Sequence, residues 1–161
     1  RDLAEGRYVY DVLISSGYKW MLGGYGNGFI SFNKGFLNSH FKLEKKNFLN
    51  FFEPGHHDTL SFGSLLFSLK KISNYGIDKI EKQINSLSIY TLDKLKTKKL
   101  LDTKILKRNN HSNIFNIKGD KRLYKNLLDN KVICSQRGNG IRISINFYNT
   151  KSEIDYFLSF V

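Results

Sequence analysis

The sequence predicts a mixed α/β fold, with an α+β arrangement toward its C-terminal end, and three observations carry that prediction. Two short β-type runs, at 8–15 and 29–32, flank a glycine-dense stretch. Apolar residues recur at spacings of three and four between 59 and 97, the period of amphipathic helices. Beyond about residue 100, short strands and helices alternate, and Ile141–Phe147 alternates apolar and polar residues cleanly.

The first run, 8–15, ends in Val12, Leu13 and Ile14 without alternation, which predicts a strand buried on both faces. Ser16-Gly17 breaks it, and Gly23, Gly24, Gly26 and Gly28 exclude a helix, so 22–28 is a tight connection. Phe29–Phe32 is the returning strand, and 36–52 shows no period and is expected to be irregular. Phe52-Glu53-Pro54-Gly55-His56-His57-Asp58-Thr59 is a polar turn in which Asp58 or Thr59 can cap the next helix. Phe62, Leu65, Leu66, Leu69 and Ile72 form the buried stripe expected of that helix, and Gly76 ends it. A second helix carries Ile77, Ile80, Ile84, Leu87 and Leu95 on one line, and the pair has the length of a bridge between two lobes. Then come a strand at 113–118, a helix at 121–128 and a strand at 132–135. In the strand at 141–147, Ile141, Ile143, Ile145 and Phe147 face a core while Arg142, Ser144 and Asn146 share the other face. Thr150 and Glu153 form a capping box, and Ile154, Phe157, Leu158 and Val161 continue the apolar face of a last helix. The expected division is 1–75, a linking helix at 76–99, and a small α/β lobe at 100–161.

Composition narrows the class. Of the 161 residues, 40% are hydrophobic and 14% aromatic, which supports a packed core and excludes global disorder. The one cysteine, Cys134, excludes an internal disulfide framework, suits a reducing cytoplasm, and lies where a core thiol in a strand is expected. No apolar run reaches the roughly 18–20 residues of a membrane span. The net charge of +12 would suit nucleic acid or an anionic surface. Its lysines, such as Lys42, Lys70, Lys94 and Lys99, are scattered and not interleaved with aromatics, so the charge is expected to be solvated surface, with neither nucleic acid nor membrane as partner. The chain begins at Arg1 without a methionine, and an N-terminally incomplete chain is expected.

Chemistry concentrates in Ser15–Phe29. One lysine, Lys19, directly follows the strand run and a Ser-Gly turn of the kind that suits phosphate, with a glycine loop behind it. That setting suits covalent aldehyde chemistry and makes Lys19 the candidate Schiff-base lysine for pyridoxal 5'-phosphate, although a lysine after a strand is more often a surface lysine. His56-His57 could suggest a metal pair, but adjacent residues on a turn without a third ligand make a poor site.

Four stretches in order then carry a resemblance: Ser16-Gly17-Tyr18-Lys19-Trp20 with its glycine loop, Phe52–Thr59, Arg137-Gly138-Asn139-Gly140-Ile141-Arg142-Ile143-Ser144, and Phe147-Tyr148-Asn149-Thr150 before Glu153-Ile154-Asp155. Together they resemble the C-terminal half of a class-V aminotransferase, the group that includes cysteine desulfurases, kynureninases and related fold-type I enzymes. The resemblance covers nearly the whole chain. It implies that 1–75 closes a large cofactor domain whose N-terminal half is missing, and that the protein is a homodimer acting on an amino acid, expected in the cytoplasm from the single cysteine. It implies that Lys19 forms the Schiff base and then moves the Cα proton, for which the amine must be partly neutral, as burial and a nearby cation can arrange. Ser16 matches the residue whose hydroxyl binds the cofactor phosphate, and Tyr18 stands where many relatives have histidine. His56 matches a residue that reaches the phosphate in the neighbouring subunit, and Arg142 matches the arginine that holds the substrate α-carboxylate. Arg137 either assists that carboxylate or anchors its loop.

The departures matter as much. Relatives that desulfurise cysteine carry a nucleophilic cysteine between the two arginine segments, but the four residues between Arg137 and Arg142 include none, so a persulfide mechanism is not expected. Transamination, elimination, racemisation and hydrolysis stay open. Relatives also place an aspartate under the pyridine nitrogen well before the lysine, and Asp11 is too close to serve. The fragment alone is therefore expected to be inactive. Two competing readings are a small basic nucleic-acid-binding module, with salt-sensitive binding, and a degenerate relative kept for assembly.

Overall fold

The computed structural model describes residues 10–40, 55 and 58–161. The chain divides between Tyr75 and Gly76 into two compact units. Among the described residues, both units mix helices and strands.

In the first unit, β1 (Val12–Ser16) pairs antiparallel with β2 (Gly28–Phe32), from Val12 opposite Phe32 to Ser16 opposite Gly28. The strand expected to be buried on both faces is not: Val12 is exposed and Ile14 is 73% exposed. Among the described residues β1 has β2 as its one neighbour, and no layer covers its outer face. Part of the stretch expected to be irregular is helical, as α1 (Lys34–His40). Asn33 supplies its start, its Oδ1 accepting from the Gly35 N–H at 2.8 Å; 41–52 lies outside the described residues. The next helix, α2 (Thr59–Tyr75), begins as expected, with Asp58 Oδ1 accepting from the Leu60 and Ser61 N–H groups. Its apolar stripe is not the buried face foreseen. Leu65 and Ser61 are buried, whereas Phe62, Leu66 and Leu69 are exposed and Ile72 is half-buried.

The second unit opens at Gly76, whose φ of 99° turns the chain from α2 into α3 (Ile77–Thr97). Only the C-terminal half of α3 is deeply packed: Leu87, Leu92 and Leu95 enter the core, while Ile77 is exposed. A one-turn helix, α4 (Thr103–Leu106), precedes β3 (Ile114–Lys118); α5 (Lys121–Asp129), β4 (Ser135–Arg137), β5 (Gly140–Ser144) and α6 (Lys151–Leu158) follow. The sheet is antiparallel in the order β3-β5-β4. Phe115, Ile117, Ile141 and Ile143 point from its inner face into the core, where Leu95 and Leu127 are fully buried and Ile154 and Phe157 of α6 join them. The period-2 alternation foreseen for β5 holds through Ile145, and Phe147 is half-buried.

The strand expected at 132–135 is displaced. Lys131 takes a φ of 60°, and its N–H and that of Val132 return to the Leu128 and Leu127 carbonyls, so these residues terminate α5. Ile133 is consequently 94% exposed, and pairing starts only at Ser135.

The capping box forms as expected: Thr150 Oγ1 accepts from the Glu153 N–H at 3.2 Å, and Glu153 Oε2 accepts from the Thr150 N–H at 2.8 Å. That backbone donor, with the Asn149 side-chain amide second, holds the Glu153 carboxyl below its ordinary range. A lowered folded-state pKa stabilises the protein above the ordinary carboxylate range and is lost as pH falls through the lowered value. Thr150→Ala removes the hydroxyl acceptor but keeps the backbone donor that acts on Glu153, so it is expected to cost about 1 kcal/mol, read from the urea midpoint, with nearly the same difference from wild type at neutral and at acid pH. No helix among the described residues is long and apolar enough to cross a membrane.

Candidate functional site

Two places carry the chemistry singled out in the sequence, one in each unit. In the first, β1 runs into a turn that holds Lys19, closed by the Leu22 N–H donating to the Lys19 carbonyl at 3.2 Å. The loop is folded back on its root: Gly17 N–H donates to the Asn27 carbonyl at 3.1 Å, and Gly23 N–H donates to the Gly17 carbonyl at 2.8 Å. Gly24 and Gly26 have φ of 71° and 80°, conformations glycine adopts without steric cost.

The loop is pinned to α2 by three side chains that the sequence reading did not single out. The Asn27 side-chain amide donates to the carbonyls of Gly23 at 2.6 Å and Ser61 at 2.9 Å and to Ser61 Oγ at 3.1 Å. The Ser61 hydroxyl donates in turn to the Tyr25 carbonyl at 2.7 Å, and the Ser68 hydroxyl to the Leu22 carbonyl at 2.7 Å. The backbone around Lys19 is therefore fixed by a helix that begins some forty residues further along.

Ser16 closes β1 and is half-buried, opposite Gly28; its hydroxyl makes no hydrogen bond among the described residues. Tyr18 and Lys19 are both exposed. Lys19 Nζ lies 5.3 Å from the centre of the Tyr18 ring, which stacks on Tyr25 at 5.2 Å. The burial expected to favour a neutral Lys19 is not found among the described residues, and no carboxylate pairs with its amine there. His56 and His57 lie outside the described residues.

In the second unit, Arg142 sits on the outer face of β5, flanked by Asn116 of β3 and Ser135 of β4. Arg137 pairs with Gly140, which places it diagonally beside Arg142 on the same face, about 7–8 Å away along adjacent strands. The two are brought together on one cavity of about 380 Å³, and Arg108 and His111, from the connection between α4 and β3, line it as well. Asn116 joins them, its side-chain amide donating to the Arg137 carbonyl at 3.2 Å. Arg108 and His111 were not foreseen. The available signal was a polar, basic run after Leu106, of the sort that connecting segments use for binding.

Cys134, expected as a core thiol inside a strand, is half-buried against the core edge and lies before β4. The reason is the exit of α5 described above, which delays the strand. Burial pushes its pKa up, which disfavours the thiolate. The described residues hold no group of three histidine, cysteine or acidic side chains that could bind a metal ion.

Comparison with curated proteins and with solved structures finds no match to this chain. The class-V aminotransferase family matches over residues 7–157, from before β1 into α6, and takes in both the Lys19 loop and the Arg142 strand. The chain belongs to the class-V aminotransferase family, a family of pyridoxal-phosphate-dependent enzymes.

Proposed function

We propose that the chain is the C-terminal half of a fold-type I, homodimeric enzyme that uses pyridoxal phosphate to transform an amino-acid substrate, with Lys19 as the lysine that carries the cofactor. The observation that carries this reading is the placement of Lys19. Within a family match spanning 7–157, it is the lysine on a turn directly after β1, on a backbone fixed by Asn27 and Ser61. The donor set around it fits the group in type. A primary amine suits an aldehyde carbon, and the uncommitted Ser16 hydroxyl and the Tyr18 phenol suit a phosphate. When bound, pyridoxal phosphate supplies an electron sink for bonds broken at the substrate Cα.

In this reading Lys19 Nζ takes and returns the Cα proton, and an exposed amine needs a covering element to exclude water when it does so. Ser16 and Tyr18 would hold the phosphate of the cofactor on Lys19, and His56 would reach the phosphate bound in the neighbouring subunit. In the second unit Arg142, assisted by Arg137, binds the α-carboxylate, whose two oxygens match a guanidinium fork.

The test is the full-length protein with stoichiometric pyridoxal phosphate, wild type against Lys19→Ala, reduced with borohydride and peptide-mapped. The expected result is a visible band in wild type, with the reduced adduct concentrated on Lys19, and neither in the variant. Adduct spread evenly over the many surface lysines, or no band at all, sinks the assignment and leaves a degenerate relative.

A further inference from the structure

We propose that the cavity beside Arg142 is built for a substrate with a second acidic group, so that the enzyme acts on a dianionic amino acid. This rests on the assignment of Arg142 to the α-carboxylate made above. Three guanidinium groups, Arg108, Arg137 and Arg142, line one concavity together with His111. No aspartate or glutamate among the described residues lines it. None of the three guanidinium groups has an ion pair or a side-chain hydrogen bond among the described residues.

The three fixed cations, all arginines, come from two separate pieces of backbone. The guanidinium groups of Arg137 and Arg142 stand on adjacent strands, β4 and β5, while the Arg108 guanidinium stands on the connection from α4 to β3. A single carboxylate offers two oxygens, and two neighbouring guanidinium forks already satisfy it. A third fork, held on another element, is left with nothing to bind. Like charges lining a concavity raise one another's energy and focus a positive potential into it, which an anion relieves. A second oxyanion on the substrate, a carboxylate or a phosphate, answers the Arg108 side of the cavity while the α-carboxylate occupies the Arg142 side. Asn116 of β3 adds a neutral amide to the lining.

The experiment is calorimetric titration of the full-length protein, at fixed ionic strength and without added cofactor, using propionate, succinate and 3-phosphonopropionate as probes. Succinate is expected to bind about tenfold more tightly than propionate, the return of one charge-assisted pair. Arg108→Gln is expected to erase that preference while propionate binding persists, which also reports that the variant is folded. Lys125→Gln, the same charge change on exposed α5, is expected to keep it. Arg142→Gln is expected to weaken both ligands. A further gain for 3-phosphonopropionate over succinate makes the second group a phosphate; equal or weaker binding makes it a carboxylate. The proposal is overturned if succinate binds no more tightly than propionate, or if Arg108→Gln and Lys125→Gln lower succinate binding alike. Because no cofactor takes part, the two readings fail separately. Succinate preference without an adduct at Lys19 removes the cofactor assignment, and an adduct without the preference removes only the dianion.

Discussion

Gly140→Ala is expected to undo the sheet of the second unit. Gly140 begins the central strand and is paired on both sides, with Lys118 of β3 and Arg137 of β4. A Cβ there would lie well inside van der Waals contact of the Ile117 carbonyl oxygen and 2.9 Å from Asn116 Oδ1. The amide end of Asn116 can swing aside, but a backbone carbonyl in a ladder cannot. Relief requires β3 and β5 to separate where Ile117 and Ile141, both essentially fully buried, meet across the ladder. Overpacking of this kind costs about 1–3 kcal/mol and sometimes more, and the loss of ladder bonds adds to it. Against a stability of about 5–15 kcal/mol for an ordinary domain, that is a large share. Hydrogen exchange resolved by peptide checks it. Protection over 114–118 and 140–144 should collapse in the variant, while 17–28, in the other unit, should keep the wild-type pattern. Unchanged protection in the sheet would mean that the close approach is relieved in another way.

Gly17→Ala is expected to be the most damaging single change in the Lys19 loop. The added methyl would overlap Asn27 Oδ1 and come within 2.9 Å of Leu65 Cδ1. Asn27 cannot yield cheaply. Its amide nitrogen is committed to Gly23 and Ser61, and moving it gives up hydrogen bonds of about 1 kcal/mol each. Together these predict a loss on the order of 2–4 kcal/mol in the stability of the loop against α2, and with it the fixed position of Lys19. The measurement is exchange protection at 17–28, together with the yield of cofactor adduct at Lys19. A double-mutant cycle isolates the cause. If the clash with Asn27 is the mechanism, Gly17→Ala with Asn27→Ala should be no worse than Asn27→Ala alone. Additive losses would point instead to Leu65 or to the backbone.

The parts of the fold that were legible are those written locally. Ile141, Ile143 and Ile145 repeat with the period of a strand, and Thr150 with Glu153 encodes a helix start within four residues. Asp58 and Gly76 likewise mark the two ends of α2 by their own chemistry. What failed depended on neighbours. The apolar stripe of α2 and the run Val12–Ile14 identify a greasy face, but periodicity does not say what covers it, and here Leu66 and Ile14 stand exposed. Val132-Ile133-Cys134 has strand composition, yet the exit of α5 claims those residues first.

The candidate site divides in the same way. Lys19, Ser16, Tyr18, Arg137 and Arg142 could be singled out because motif and order point to them. Asn27, Ser61 and Ser68 act through hydrogen bonds to partners 34 to 46 residues away, and no local pattern carries that information. Arg108 and His111 become interesting only because the chain folds them onto the rim of the cavity that Arg142 occupies.

The strand order β3-β5-β4 has a consequence for how the second unit comes into being on the ribosome. Its central strand is the last to be made, so β3 and β4, though synthesised earlier, have no mate until residues 140–144 emerge. Until then Phe115 and Ile117 sit on a bare β-prone segment, the kind that pairs with other chains when left uncovered. At about 5–20 residues per second, the interval from β3 to β5 lasts only a few seconds. The short link through Gly138 and Asn139 then lets β5 fold back on β4 as a local hairpin, before the slower closure onto β3. Nascent-chain quality control would therefore meet this unit as an open two-edged intermediate, completed from its middle outward.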